Sequence, residues 1–108
     1  MAPDVATEAV IYINQNFARN ISVAEIADFF GLERSYFSRL FKKKHGISVQ
    51  NYIINLRMNK ASELLKKGVS VKETAFLIGY EDAFAFSKMY KKTYGESPRA
   101  AHIKADYE

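Results

Sequence analysis

Cysteine is absent from all 108 residues of the sequence. Its absence excludes disulfide bonds, thiolate zinc sites and cysteine nucleophiles, and it is typical of a cytoplasmic protein. Proline is scarce, and Pro3 and Pro98 both lie near the chain ends, so no proline-rich linker divides the middle. No apolar run approaches the roughly 18 residues that would span a bilayer, and the N-terminus lacks the pattern of a signal peptide. We therefore expect no membrane partner.

The sequence patterns of most enzymes and metalloproteins are also missing. The chain contains no His-Glu-x-x-His motif, no glycine-rich phosphate loop and no nucleophile elbow. The two histidines, His45 and His102, are too far apart in sequence to suggest a pair of metal ligands. We expect a protein that is not an enzyme and that holds neither a metal nor a cofactor. His45, near a predicted helix end, is expected to interact with the helix dipole.

The basic residues are unevenly distributed. Hydrophobic residues make up 48% of the chain, enough for a core in one compact unit or two small lobes, and the formal net charge is only +4. Yet residues 34–44 hold five basic residues and no acid: Arg34, Arg39, Lys42, Lys43 and Lys44. Such clustering is typical of a protein that binds a polyanion, although a solvated helical face with spare lysines would look the same.

Two segments of the chain are repeated. Residues 22–31 (SVAEIADFFG) return as residues 70–79 (SVKETAFLIG), and residues 37–43 (FSRLFKK) return as residues 86–92 (FSKMYKK). The offset is 48 residues for the first pair and 49 for the second, so one extra residue follows the second glycine. Each copy predicts a short helix, a glycine turn and a second helix ending in lysines, which is a helix-turn-helix.

Capping patterns locate the helix starts. Ser22 with Glu25, and Ser70 with Glu73, each predict a capping box, in which the serine accepts the glutamate amide and the glutamate reaches back. Each of these short helices ends at a glycine, Gly31 or Gly79, because glycine adopts the left-handed backbone conformation without steric strain. The other predicted caps are Asp4, Ser48, Asp82 and Ser97.

The predicted helices cover most of the chain. They run over about residues 5–16, 22–30, 34–44, 48–66, 71–78 and 82–93, and a last one starts at Pro98. The apolar side of the first helix is expected at Val10, Ile11, Ile13 and Phe17, and that of the third at Tyr36, Phe37, Leu40 and Phe41. The other aromatic residues that are spaced as core residues are Phe29, Phe30, Phe76, Tyr90 and Tyr94.

A dispersed set of residues at fixed spacing carries a family resemblance. In the first copy and the long helix they are Ile26-Ala27, Gly31, residues 36–43, residues 46–48, Tyr52, residues 56–58, Ala61 and residues 64–65. In the second copy they are Ala75, residues 78–80, residues 86–88, residues 90–92, Gly95 and Ser97-Pro98. Over about residues 5–102 the chain closely resembles the DNA-binding domain of the AraC/XylS family of bacterial transcription regulators.

The resemblance implies an all-α, homeodomain-like fold of about seven helices. Two helix-turn-helix lobes, residues 5–46 and 69–104, would be joined by a linker helix over residues 48–67, within one DNA-binding domain over residues 1–108. It also implies sequence-specific binding of double-stranded DNA at promoters, with recognition helices at about 34–44 and 82–93 in adjacent major grooves. The family members most often activate transcription through contact with RNA polymerase, so the resemblance also implies activation.

Family members usually carry a second domain for effector binding or dimerisation. We therefore expect this chain to be an excised, monomeric C-terminal domain of a cytoplasmic, nucleoid-associated regulator, with effector binding confined to the other domain.

Within this frame, candidate DNA contacts can be named by residue. The base-reading candidates are Arg34, Ser35, Ser38 and Arg39 in the first copy, and Phe84, Ser87 and Lys88 in the second. The phosphate-binding candidates are Ser22, Lys42, Lys43, Ser70, Lys91 and Lys92. Arg39 is the first choice because its guanidinium can bind both acceptors on a guanine edge, and we expect the first copy to carry most sequence discrimination.

Alternatives remain at each level. Arg39 could instead be a surface arginine that is paired with Glu33 or with a neighbouring residue. Phe84 could contact a thymine methyl group, but packing on the fifth helix is the slightly favoured interpretation. The whole chain could be a protein-interaction module that docks a partner such as RNA polymerase. The charge asymmetry argues against that function, because protein-binding faces are rich in apolar anchors rather than lysines.

Overall fold

The computed structural model describes residues 4–107, and the side chains of residues 4–105. In that range the chain forms seven α-helices and no strand, which confirms the predicted all-α fold. The helices are α1 (Val5–Asn16), α2 (Val23–Phe29), α3 (Arg34–His45), α4 (Val49–Lys66), α5 (Val71–Leu77), α6 (Ala83–Tyr94) and α7 (Pro98–Tyr107). Across this described range, no helix is both long enough and apolar enough to cross a membrane.

The chain separates into two compact units, and the division falls inside α4, between Asn55 and Leu56. Unit 1 contains α1, α2, α3 and the start of α4, and unit 2 contains the rest of α4 with α5, α6 and α7. Each unit therefore contains one short helix followed by one predicted recognition helix.

In unit 1, α3 packs against both α1 and α2. The buried residues of α3 are Phe37 and Phe41, and those of α1 are Ala6, Ala9 and Ile13. The predicted apolar side of α1 is partly wrong, because Ile11 is exposed and Val10 and Phe17 are only half-buried. The alanines hold the buried positions instead, since their small side chains let the helices approach closely.

Unit 2 repeats this arrangement with a different first helix. At the 48-residue offset, Ala61 and Leu65 of α4 take the places of Ile13 and Phe17, and both are buried. The other buried residues of the unit are Met58, Thr74, Ala75, Ile78, Phe86, Tyr90 and Pro98. The C-terminal part of α4 thus supplies buried residues to unit 2.

The predicted serine caps are confirmed. Ser22 Oγ accepts the amide of Glu25 at 3.0 Å, and Ser70 Oγ accepts the amide of Glu73 at 3.1 Å. The returning half of both boxes is wrong. The Glu25 carboxylate instead accepts hydrogen bonds from Arg19 at 2.6 Å and from the Tyr12 hydroxyl at 3.0 Å, and in the described chain no hydrogen bond joins the Ser70 amide to the Glu73 carboxylate. Arg19 offers a charged donor, which binds a carboxylate more strongly than an amide does.

Several aromatic residues that were predicted as core lie on the surface. Phe29 is 64% exposed and Phe76 is 77% exposed, and Tyr36 and Tyr94 are also classed as exposed. The helices α2 and α5 are only two turns long, so each buries a pair of neighbouring residues, Ile26 with Ala27 and Thr74 with Ala75. Phe29 and Phe76 lie outside these buried pairs, and regular spacing could not reveal this for so short a helix.

His45 lies in the last turn of α3, as expected, but its main contact is with another helix. Its Nε2 atom lies 2.8 Å from the backbone carbonyl oxygen of Ala6, in the first turn of α1. The rings of Phe41 and Tyr52 flank it, with centroid distances of 4.5 and 6.3 Å. The imidazole therefore links two helices of unit 1 rather than acting only at its own helix end.

Candidate nucleic-acid interface

The start of α3 is fixed by a residue that the sequence analysis did not identify as a cap. Glu33 is the N-cap, and its two carboxylate oxygens accept the backbone amides of Ser35 at 3.0 Å and Tyr36 at 3.2 Å. These hydrogen bonds, the Ser35 amide first, lower the pKa of Glu33, and the positive charge of Arg39 adds to the effect. A fixed carboxylate anion therefore stands at the beginning of the predicted recognition helix.

The two sides of α3 differ sharply. Phe37 and Phe41 are fully buried against the rest of unit 1. Four candidates lie on the other side, where all are exposed except the half-buried Ser38: Ser35, Ser38, Arg39 and Lys42. Arg34, in the first turn, and Lys43 are also exposed. The helical spacing of the sequence predicted this separation correctly.

Four of these candidates line one cleft of about 320 Å³. Arg34, Ser38, Arg39 and Lys42 contribute from α3, and the remaining lining residues are Val23, Ser48, Val49 and Gln50. The cleft thus brings three cations together and has no carboxylate among its lining residues in the described chain. Ser35 and Lys43 lie outside it. The first residues of α4 and Val23 of α2 complete the site, and the sequence analysis did not include them.

The proposed pairing of Arg39 with Glu33 is absent. No ion pair joins the two side chains in the described part of the chain, and both Glu33 oxygens are already engaged by helix amides. Lys44, the last of the five clustered basic residues, is used differently. Its Nζ lies 3.2 Å from Asp4, and the hydrogen bond from Lys44 is the largest cause of the lowered pKa of Asp4. The exposed cationic face therefore ends at Lys43.

The helix α6 repeats this design in unit 2. Asp82 caps it by accepting the amide of Phe84 at 2.8 Å. Phe86 and Tyr90 are buried, as their counterparts are in α3. On the opposite side the remaining candidates Phe84, Lys88, Lys91 and Lys92 are exposed, and Ser87 is half-buried.

Phe84 does not pack on the fifth helix, so that interpretation is wrong. Its side chain is 69% exposed, and the Nζ atom of Lys88 lies 5.1 Å from the centre of its ring. It lies two positions before the buried Phe86, about 200° around the helix, which places it far from the core. The cation–π contact joins Phe84 and Lys88 into one exposed feature of α6.

The other two candidates cap the short helices. Ser22 and Ser70 are exposed, and each Oγ already accepts one amide of its own helix. Each hydroxyl keeps a hydrogen that can be donated to a phosphate oxygen. As for metals, residues 4–107 contain no group of three or more His, Cys, Asp or Glu side chains that could hold an ion.

Comparison with known proteins identifies the fold. A family profile described as a helix-turn-helix domain matches residues 26–102. The lactose operon transcription activator of Staphylococcus xylosus is 35% identical over 85 residues, which cover 78% of this chain and 30% of that protein. The C-terminal domain of AraT, a response regulator from Geobacillus stearothermophilus, superposes with a TM-score of 0.90 at 30% identity, covering 94% of this chain and 86% of that one.

The DNA-binding domain of AdpA, solved in complex with a target DNA, superposes with a TM-score of 0.88 at 24% identity, covering 94% of this chain and 93% of that one. At that identity the likeness shows the fold alone. The chain spans about a third of the length of curated relatives such as the Staphylococcus xylosus activator. The profile covers well over half of the chain, and the chain covers most of the AraT domain. This chain therefore belongs to the AraC/XylS family of transcription regulators and contains its helix-turn-helix DNA-binding domain.

Proposed function

We propose that this chain binds double-stranded DNA sequence-specifically at promoters, with α3 and α6 inserted into adjacent major grooves. The observation that carries the proposal is the exposed cationic face of α3, which lies opposite the buried Phe37 and Phe41. A helix that is anchored on one side and basic on the other suits the major groove, where base edges are read and phosphates lie alongside.

In unit 1, Arg39 is the principal base reader. Its guanidinium is exposed in the cleft and can donate two parallel hydrogen bonds to guanine, which is worth about 1–3 kcal/mol of discrimination. Ser35 and Ser38 add adaptable hydrogen-bonding groups beside it, and Arg34 at the helix start can reach a base or a phosphate. Lys42 and Lys43 bind phosphates, which position the protein without reading sequence.

In unit 2, the base-reading residues are Phe84, Ser87 and Lys88. Because Lys88 lies over the ring of Phe84, the pair can present one cation and one apolar surface to the groove. Lysine lacks the two-pronged geometry of arginine, so this unit discriminates less and depends more on DNA shape. The phosphate contacts of unit 2 are Lys91, Lys92 and Ser70. In unit 1, the α2 cap Ser22 also contacts a phosphate.

The regulatory setting follows from the family. We propose that residues 1–108 act as the DNA-binding domain of a bacterial activator in the cytoplasm. This segment by itself is a monomer, and effector binding takes place in another domain. The family comprises DNA-binding regulators, which are not a class of enzymes. The name of the Staphylococcus xylosus relative, a transcription activator, supports activation rather than repression.

Contact with RNA polymerase is a second element of the proposal, and exposed apolar side chains favour it. Ile11 and Phe29 border a cleft of about 380 Å³ in unit 1, which Tyr12 and Phe30 help to line. Apolar surface of this kind is typical of protein contacts rather than DNA contacts. Replacing Ile11 and Phe29 by serine should reduce activated transcription in a reconstituted assay while leaving operator affinity unchanged. A loss of operator affinity together with activated transcription would argue against a polymerase contact.

The decisive experiment for DNA binding is selection of bound sequences from a random duplex pool of about 25 base pairs. Recovery of two elements about one helical turn, or roughly 10 base pairs, apart is the expected result. Recovery of one short element would limit base reading to unit 1. No enrichment, together with no salt-dependent binding to duplex, would overturn the proposal.

A further inference from the structure

The two recognition helices differ from the other capped helices in the charge of their caps. Serine hydroxyls cap the starts of α2, α4, α5 and α7. Carboxylates cap α3 and α6, through Glu33 and Asp82. The remaining helix, α1, is also capped by a carboxylate, but Asp4 is paired with Lys44 at 3.2 Å. Among the described residues, the two helices that we assign to the DNA grooves are thus the ones capped by carboxylates without an ion-pair partner.

The Glu33 carboxylate occupies a position that would otherwise attract DNA phosphate. The first amides of a helix point outward with partial positive charge, and phosphates bind there readily. In α3 the amides of Ser35 and Tyr36 are both taken by the Glu33 oxygens. Arg34 follows immediately, and Arg39 is close enough to influence the Glu33 charge. Without the carboxylate, this end of α3 would be strongly attractive to any phosphate.

We propose that Glu33 is a specificity-determining residue that keeps DNA phosphates from binding the backbone amides at the start of α3. The inference rests on the proposed DNA-binding function and deepens it. A phosphate bound at this end would hold the protein on every sequence equally, because phosphate contacts carry no sequence information. By repelling it, the carboxylate weakens binding to all duplexes and makes stable binding depend on the base contacts of Arg39. Asp82 has the same effect at the start of α6.

The test compares variants that separate charge from capping. Glu33→Ser keeps a good N-cap and removes the charge, whereas Glu33→Asp keeps both. Glu8→Gln, on α1, removes one negative charge from the same unit and serves as the matched control, because the cleft that Glu8 lines contains no residue of α3. Dissociation constants are measured for the selected duplex and for a scrambled duplex at several salt concentrations, and urea unfolding verifies that each variant is folded.

For Glu33→Ser we expect about two- to fivefold tighter binding to the scrambled duplex, the effect of one charge at a helix end. The salt dependence should steepen by about 0.9 in log–log slope, as one more phosphate is contacted. The ratio of specific to scrambled affinity should fall, and Asp82→Ser should act in the same direction. Glu33→Asp should match the wild type, and Glu8→Gln should leave the slope unchanged.

A folded Glu33→Ser variant with the wild-type slope and wild-type affinity for scrambled DNA would overturn the inference and leave Glu33 as a helix cap alone. Equal steepening in Glu8→Gln would also overturn it, because the effect would then be one of net charge. Wild-type protein that binds no duplex at all would instead contradict the proposed function, and this inference would fall with it.

Discussion

At the residue scale, one buried threonine distinguishes the cores of the two units. Thr74 is fully buried, and no hydrogen-bond partner of its Oγ1 is found in the described chain. At the 48-residue offset its counterpart in unit 1 is Ile26, which is equally buried and has no polar atom in its side chain. A buried hydroxyl without a partner loses its hydration and gains nothing in return.

Replacing Thr74 by valine should therefore stabilise the protein. Valine has nearly the same shape and removes the unsatisfied hydroxyl, so the free energy of unfolding should rise by about 1 kcal/mol. Urea unfolding measures the change. The control is Thr93→Val, because the exposed Thr93 hydroxyl donates to the carbonyl of Met89 at 2.9 Å, and no stabilisation is expected there. A lower urea midpoint for Thr74→Val would contradict this account of the site.

Ion-paired carboxylates make stability dependent on pH. The hydrogen bond from Arg19 lowers the pKa of Glu25 below its usual 4.5, and the one from Lys44 lowers the pKa of Asp4 below 3.8. A carboxylate with a depressed pKa stabilises the folded state above its unfolded pKa and loses this effect as the pH falls through the folded pKa. Stability should thus decline between about pH 5 and pH 3.

The variant Glu25→Gln should show a shallower decline over this range, since one of the contributing groups no longer titrates. Urea midpoints at several pH values measure it. A slope identical to that of the wild type would mean that the pair of Arg19 and Glu25 does not contribute to folding in solution.

At the scale of single elements, the caps show what the sequence could and could not predict. Asp82, Ser22 and Ser70 are residues with a strong N-cap preference, and all three were located correctly. Glu33 was missed because glutamate is not a preferred N-cap residue. The only available signal was the 49-residue offset, which aligns Glu33 with Asp82.

The end of α3 provides a prediction at this scale. Gly46 has a φ of 74°, and a Cβ atom added there would meet nothing within 4 Å. Alanine at this position should therefore cost about 1 kcal/mol from backbone strain alone, with no steric clash. Asparagine tolerates the left-handed region better, so Gly46→Asn should be less destabilising than Gly46→Ala in urea unfolding. The reverse order would show that packing rather than backbone conformation governs the position.

At the scale of the whole molecule, the internal repeat was sufficient to predict the two helix-turn-helix segments, and capping residues with apolar spacing predicted the first, fourth and last helices. The exposed face of α3 also followed from helical spacing, because buried Phe37 and Phe41 fix the opposite side. The cleft beside it could not be predicted, since it needs Val23 and Gln50 from the helices before and after α3, and helical spacing does not determine how those helices pack against it. The exposure of Phe29 and Phe76 was missed because a two-turn helix gives too few positions to define a face.

The central claim is that Arg39 reads a base, and a comparison of Arg39→Lys with Arg39→Ala on selected and scrambled duplexes tests it most directly. Lysine preserves the charge but loses the two-pronged guanidinium, so Arg39→Lys should bind the selected duplex about tenfold or more weakly while keeping wild-type affinity for the scrambled one. Arg39→Ala should weaken both. If Arg39→Lys bound both duplexes like the wild type, or lost affinity equally for both, Arg39 would be a phosphate contact and the assignment of base reading to α3 would be contradicted.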